Sequence, residues 1–216
     1  MFDLPCRWAI SMILVSTSFF LTPPAVSATA DHRKGLDIDV RGGVNQCIKD
    51  DESTCKDLYI GGGFGAMMGI RFLPFVSVGV DVGLYMFGQE EIETVHLMNT
   101  VLELRIYFPH EHFDIYGKFG GGYMRLTGRE WPMRSSMSSW ANMKWGGGVT
   151  FFVLKEHRIG DVGLGLNVDY LWTNFKESEL CSNVQCQTGE LDKRGAGIDA
   201  IQYSVHMAWI FPIMNL

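Results

Sequence analysis

The chain has 216 residues, a formal net charge of −6, 25 glycines and 12% aromatic residues. That length suits one domain, and the acidic balance argues against a nucleic-acid partner. Beyond the N-terminus no apolar run is long enough for a membrane helix, which excludes a helical membrane protein.

The first thirty residues read as a unit of their own. Arg7 supplies a basic start, Trp8 to Leu21 is apolar, and small residues close the segment at Val26-Ser27-Ala28 or Ala28-Thr29-Ala30. This is the pattern of a cleaved export signal, so the predicted organisation is a signal peptide over 1–30 and one domain over 31–216. Cys6 precedes the apolar stretch and falls within the signal.

From residue 35 onward hydrophobicity alternates with period two, the mark of strands with one apolar face. In the first strand Leu36, Ile38 and Val40 alternate with Asp37, Asp39 and Arg41. In the second, Phe64, Ala66, Met68 and Ile70 oppose Gly61, Gly63, Gly65 and Arg71. The third is the cleanest, setting Val76, Val78, Val80, Val82 and Leu84 against Ser77, Gly79, Asp81 and Gly83. The fourth sets Met98, Leu102, Leu104 and Ile106 against Asn99, Glu103 and Arg105, and the fifth Ile115 and Phe119 against Tyr116 and Lys118. The sixth places Met143, Trp145, Val149 and Phe151 opposite Lys144, Gly146, Gly148 and Thr150. The seventh has Leu164, Leu166 and Val168 against Asp161, Asn167 and Asp169, and the eighth Tyr203, Val205, Met207 and Trp209 against Gln202, Ser204 and His206. No helical period intervenes.

The connections alternate in length. Segments 72–75, 109–113 and 154–160 are short, 45–57, 128–137 and 173–197 are long, and 88–95 is intermediate. This is the layout of a bacterial outer-membrane barrel, with short periplasmic turns, longer external loops and both chain ends in the periplasm. A lipocalin-like soluble barrel also has one apolar face, but here that face spans about ten residues per strand, the length that crosses a bilayer. The opposite face is rich in glycine, as suits a cramped interior, and aromatics gather at both strand ends as two interfacial girdles. The Gly-x-Trp expected of a lipocalin is absent. The expected fold is all-β: an eight-stranded antiparallel up-and-down transmembrane β-barrel, integral to the outer membrane of a Gram-negative bacterium.

Strand count, loop alternation, glycine-rich inner faces and the closing strand Tyr203-x-Val205-x-Met207-x-Trp209-x-Phe211 resemble the small eight-stranded outer-membrane barrels, such as the OmpA membrane domain and OmpX. The resemblance covers roughly residues 35–211, with five residues following the terminal aromatic. It implies recognition of the last strand by the barrel-assembly machinery, and lipid and lipopolysaccharide as surroundings.

The inward face would carry Asp37, Asp39, Asp81, Glu103, Asp161 and Asp169 with Arg41, Arg71, Arg105, Lys118 and Lys144. Charges so nearly balanced are expected to pair and fill the lumen, since buried ions are tolerated only when paired and hydrogen-bonded. Ser204 and His206 resemble the serine and histidine of lipopolysaccharide-deacylating barrels, but they face inward and in reversed order, so no catalytic residue is assigned. Gly61-Gly62-Gly63-x-Gly65 lies within a strand and precedes no helix, so it is no nucleotide loop. No cofactor or metal is expected.

Four cysteines, Cys47, Cys55, Cys181 and Cys186, suit an oxidising compartment. Local pairs Cys47–Cys55 and Cys181–Cys186 are favoured because each lies within one loop, and cross-links between the first and last loops stay open. The reading is a non-enzymatic barrel, structural or adhesive through loops such as 173–197, with a narrow porin-like channel as alternative and a lipid-modifying enzyme behind it. An extracellular ligand would bind those loops.

Overall fold

The computed structural model describes residues 33–48, 58, 60–88, 95–130, 133–156, 160–175, 177–181, 186–190 and 197–212. The predicted signal segment 1–30 and Cys55 lie outside them. Among the described residues there are ten strands: β1 (Gly35–Cys47), β2 (Gly61–Leu73), β3 (Val76–Phe87), β4 (Val95–Pro109), β5 (Phe113–Glu130), β6 (Met133–Glu156), β7 (Gly160–Asn174), β8 (Glu177–Cys181), β9 (Cys186–Glu190) and β10 (Gly197–Pro212).

Eight of them, β1 to β7 and β10, pair antiparallel with their neighbours in chain order around a ring. The ring closes where β1 meets β10, in a register running from Gly35 opposite Pro212 to Cys47 opposite Ala200. Closure satisfies every strand edge within the ring, the condition a sheet must meet to stand in hydrocarbon.

Alternation decides which face looks outward. Val80, Leu102 and Val205 are 49%, 62% and 63% exposed, whereas Asp81 and Glu103, one residue along, are at 0%. The molecule is therefore apolar outside and charged inside, the reverse of a soluble protein. Aromatics border the apolar band. At the short-turn end Trp209 stacks on Phe211 at 4.7 Å, with Phe72, Phe75 and Phe108 exposed nearby. At the other end Trp145 stacks on Tyr170 at 4.4 Å, and Tyr123 meets Trp140 at 5.0 Å.

The short connections stand at 74–75, 110–112 and 157–159. Gly160 opens β7 at φ +93°, a left-handed conformation that glycine adopts without a Cβ penalty. The other end departs from expectation. Segment 128–137 is not a long loop: β5 and β6 continue as a ladder down to Glu130 opposite Met133. Segment 173–197 is not wholly loop either, because β8 pairs with β6 over 134–138 and β9 pairs with β8. Above the hydrocarbon both faces of a strand meet water, so pairing goes on without the alternation that marks a membrane strand. Bulges at Arg71/Leu73, Gly122/Met124 and Phe152/Leu154 reset the inward parity near the strand ends.

An arginine at Leu102, mid-strand on the outward face, is expected to destabilise the barrel by roughly 2–4 kcal/mol, the penalty of a cation at the bilayer midplane. Reversible denaturant titration in lipid vesicles measures it.

Candidate functional site

The lumen is filled in four levels, counted from the short-turn end. Inward parity places Arg33, Asp37, Arg71, Ser77, Tyr107, Asp114 and Asp161 on the floor, all of them buried. Arg71 Nη1 donates to Asp114 Oδ2 at 2.6 Å, its Nε donates to the Pro74 carbonyl at 2.9 Å, and its plane lies 3.9 Å from the Tyr107 ring. The Tyr107 hydroxyl donates to Asp37 Oδ2 at 2.7 Å.

The second level is the charge core. Four carboxylates, Asp39, Asp81, Glu103 and Asp169, face four cations, Arg41, Arg105, Lys118 and Lys144, all buried. Arg105 bridges Glu103 through Nε at 2.6 Å and Asp39 through Nη1 at 3.0 Å. Lys144 Nζ lies 2.6 Å from Asp81 Oδ2, 2.8 Å from Glu103 Oε2 and 3.6 Å from Asp169 Oδ2. Arg41 grips Asp81 at 2.6 Å, and Lys118 lies 2.6 Å from Asp169 Oδ1. The eight groups form one connected web, neutral in sum. Each ion would cost several kcal/mol to desolvate alone, so the web is stable only as a whole.

Glycine makes room for it. A Cβ at Gly65 would stand 2.7 Å from Arg41 Nη2, so a larger residue there would push the guanidinium off Asp81.

Beside the core, His206 Nε2 shares a hydrogen bond with Thr150 Oγ1 at 2.8 Å, while Ser204 Oγ accepts from Asn167 Nδ2 at 3.2 Å. Ser204 and His206 thus have separate partners, both inside the lumen. Above the core lies a layer of neutral polar groups. Asn45, Tyr85, Asn99 and Gln202 are wholly or almost wholly buried, and the Tyr85 hydroxyl and both amide ends of Asn99 and Gln202 have no partner among the described residues.

The fourth level is an apolar cap under the long connections. Phe87, Val95, Leu97, Met124, Leu126, Leu171, Phe175 and Ile198 pack together with Leu58 and Cys47. Cys47 is disulfide-bonded, to a cysteine whose side chain is not among those described. The side chains of Cys55, Cys181 and Cys186 lie outside the described set, but strand register sets Cys181 directly opposite Cys186.

The eleven charged residues that alternation assigns to the inward face are all buried: eight make the core, while Asp37, Arg71 and Asp161 belong to the floor. Alternation does not single out Arg33, two residues ahead of β1, or Asp114, near the start of β5, although they share the inward parity of Asp37 and Tyr116. The inward apolar cap was not foreseen either. Among the described residues no three metal-ligating side chains come together.

Replacing Glu103 by alanine leaves Arg105 and Lys144 short of a carboxylate in a closed space, and is expected to lower stability by about 3 kcal/mol. Thermal unfolding in detergent, followed by heat-modifiable electrophoretic mobility, checks it. The E103A/R105A double variant should recover part of the loss.

No family model and no curated protein matches the sequence. Among solved structures the chain is similar to the crystal structure of Neisserial surface protein A (NspA), at TM-score 0.58 and 12% identity, over 82% of this chain and 97% of that one. It also matches the outer membrane protein OprG from Pseudomonas aeruginosa, at TM-score 0.47 and 12% identity over 83% and 97% of the two chains. The outer membrane protease OmpT from Escherichia coli matches at TM-score 0.38 and 8% identity over 82% and 96%. The last two likenesses are too distant to carry an argument. With its closed eight-strand ring, its outward apolar band and the fold it shares with NspA, the chain is an integral β-barrel of the Gram-negative outer membrane.

Proposed function

We propose that this chain is a non-enzymatic outer-membrane barrel with a sealed lumen, serving envelope structure or adhesion through the strands and loops of its long-connection end. The observation that carries this reading is the continuous filling of the interior from the Arg33 floor, through the neutral charge core, to the cap around Phe87 and Leu97. An eight-stranded barrel has room for its own side chains and little else. A solute would have to break ion pairs and then pass a dry apolar layer, two unrelated barriers in series.

The enzymatic alternative has little support. Ser204 and His206, the one pair that resembles a deacylase site, are buried away from any lipid substrate and bonded to different residues. A porin-like channel would need the cap to open, and its members are fully packed.

The external end is where the chain differs from a bare barrel. The β5–β6 arm, joined by β8 and β9, builds a small sheet beyond the ring, which gives the loops a firm platform for a ligand. In the orientation that loop lengths favour, this platform faces outward and the short turns face the periplasm. Residues 1–30 act as the cleaved export signal in this reading, the barrel-assembly machinery inserts the product, and lipopolysaccharide surrounds its outer half.

Two experiments bear on the proposal. Planar-bilayer recording of the purified barrel should give no stable conductance, and openings large enough to pass sugars would refute the sealed lumen. Non-reducing peptide mapping should link Cys47 to Cys55 and Cys181 to Cys186. Directly opposed antiparallel positions lie about 4.5–5.5 Å apart, within disulfide reach, and β8–β9 has this register. A peptide joining either first-loop cysteine to Cys181 or Cys186 would refute local pairing.

A further inference from the structure

One cation in the lumen comes from no strand. Arg33 precedes β1 by two residues, and its side chain, at 0% exposure, lies across the short-turn mouth of the barrel. Its Nε donates to Asp161 Oδ2 at 3.1 Å. Nη1 donates to Asp114 Oδ1 at 2.6 Å and to the His110 carbonyl at 2.8 Å, and Nη2 donates to the Glu111 carbonyl at 2.7 Å. The guanidinium carbon stands 4.0 Å from the centre of the Phe152 ring.

Every one of these partners belongs to the barrel wall, and none to the segment that carries Arg33. Asp114 is on β5, Asp161 on β7, Phe152 at the β6 bulge, and the two carbonyls are in the β4–β5 connection. A guanidinium is a planar fork of five N–H donors that stacks on aromatic faces, and this cage offers four acceptor contacts and one such face. An ammonium could not use so wide a spread of acceptors together with the ring. The cage is also held from behind, because Arg71 grips the second oxygen of Asp114 at 2.6 Å and so fixes that carboxylate independently of Arg33.

We propose that the short-turn mouth is a guanidinium-binding site, occupied in cis by Arg33, which straps the N-terminal segment across the lumen and can be replaced there by a free arginine-like cation. A tethered group occupies its site at an effective concentration in the millimolar range. Free ligand therefore binds only once Arg33 is removed. The site differs from an ordinary buried ion pair in this respect: a structural pair lost by mutation is not restored by a small molecule, whereas a cage anchored by its own wall accepts a substitute.

The test places a reporter cysteine under the strap. Ser77 is fully buried on the floor beside Tyr107, so S77C should react slowly with a membrane-impermeant thiol reagent in the detergent-solubilised, disulfide-intact barrel. Labelling is read by mass on the peptide that carries the substitution. Adding R33A is expected to speed labelling by roughly tenfold or more, as the desolvated ion pairs that close the mouth are lost. Methylguanidinium at millimolar concentration should slow it again, and urea, of similar shape but uncharged, should not. Unchanged labelling in R33A overturns the strap. Acceleration that methylguanidinium does not reverse, or that urea reverses equally, overturns the guanidinium site. If R33A does not reach the folded, heat-modifiable form, R33K keeps the charge but loses the fork. It should show a smaller acceleration that methylguanidinium reverses, and labelling at the parent rate with no response to the cation overturns the proposal.

Discussion

The structure depends on the closure of β1 on β10. Hydrocarbon offers no hydrogen bonds to a strand edge, so the sheet has to end on itself. A ring of eight strands encloses a space about as wide as two facing side chains. Once that ring stands in lipid, the outer half of each strand's residues is committed to apolar groups. The inner half then has to fill a fixed, narrow volume, and everything polar in the membrane-spanning part of the chain is forced into it.

The charge core follows from that confinement. Asp39, Asp81, Glu103 and Asp169 come from β1, β3, β4 and β7, and Arg41, Arg105, Lys118 and Lys144 from β1, β4, β5 and β6, so the core draws on six of the eight ring strands. Ion pairs here act as ties across the ring. They join residues far apart in sequence, Arg105 to Asp39 and Lys144 to Asp81 among them, and so oppose the splaying of non-neighbouring strands. A hydrophobic interior of the same volume could also fill the space, but it would leave the inner and outer faces alike and the register of each strand unspecified. Charge inside and apolar outside make a one-residue slip very costly, which fixes register strand by strand.

Legibility in the sequence tracks this contrast between faces. Where one face is charged or glycine and the other branched aliphatic, as in Val78-Gly79-Val80-Asp81-Val82, period two reveals both strand and orientation. Where both faces are apolar the signal vanishes. Tyr170-Leu171-Trp172 and Leu97-Met98 give no hint that Leu171 and Leu97 turn inward to build the cap. A bulge ends the alternation of β6: Phe152 keeps the inward parity of Thr150 and faces Arg33, and the break beyond it leaves Val153 and Leu154 both exposed. Beyond the membrane the pattern fails for a different reason, since water on both sides removes the need for alternation. The outer arm of β5 and β6 and the β8–β9 pair carry no such alternation, so their sequence resembles loop.

The order of the levels bears on what the barrel can do. Charge sits in mid-lumen, where its pairing is shielded from salt and water, and the apolar cap sits toward the loops, with the buried amides of Asn99 and Gln202 between. Had the cap been polar, water could enter from the loop side, hydrate the ions and loosen the ties that brace the ring. The cap therefore protects the electrostatics below it, as Arg33 and Phe152 close the other end. A lumen sealed at both mouths and braced in the middle is a rigid pedestal. Variation in the sheet and loops it carries then has little effect on the barrel below, which is the mechanical requirement of a protein that works at its outer rim.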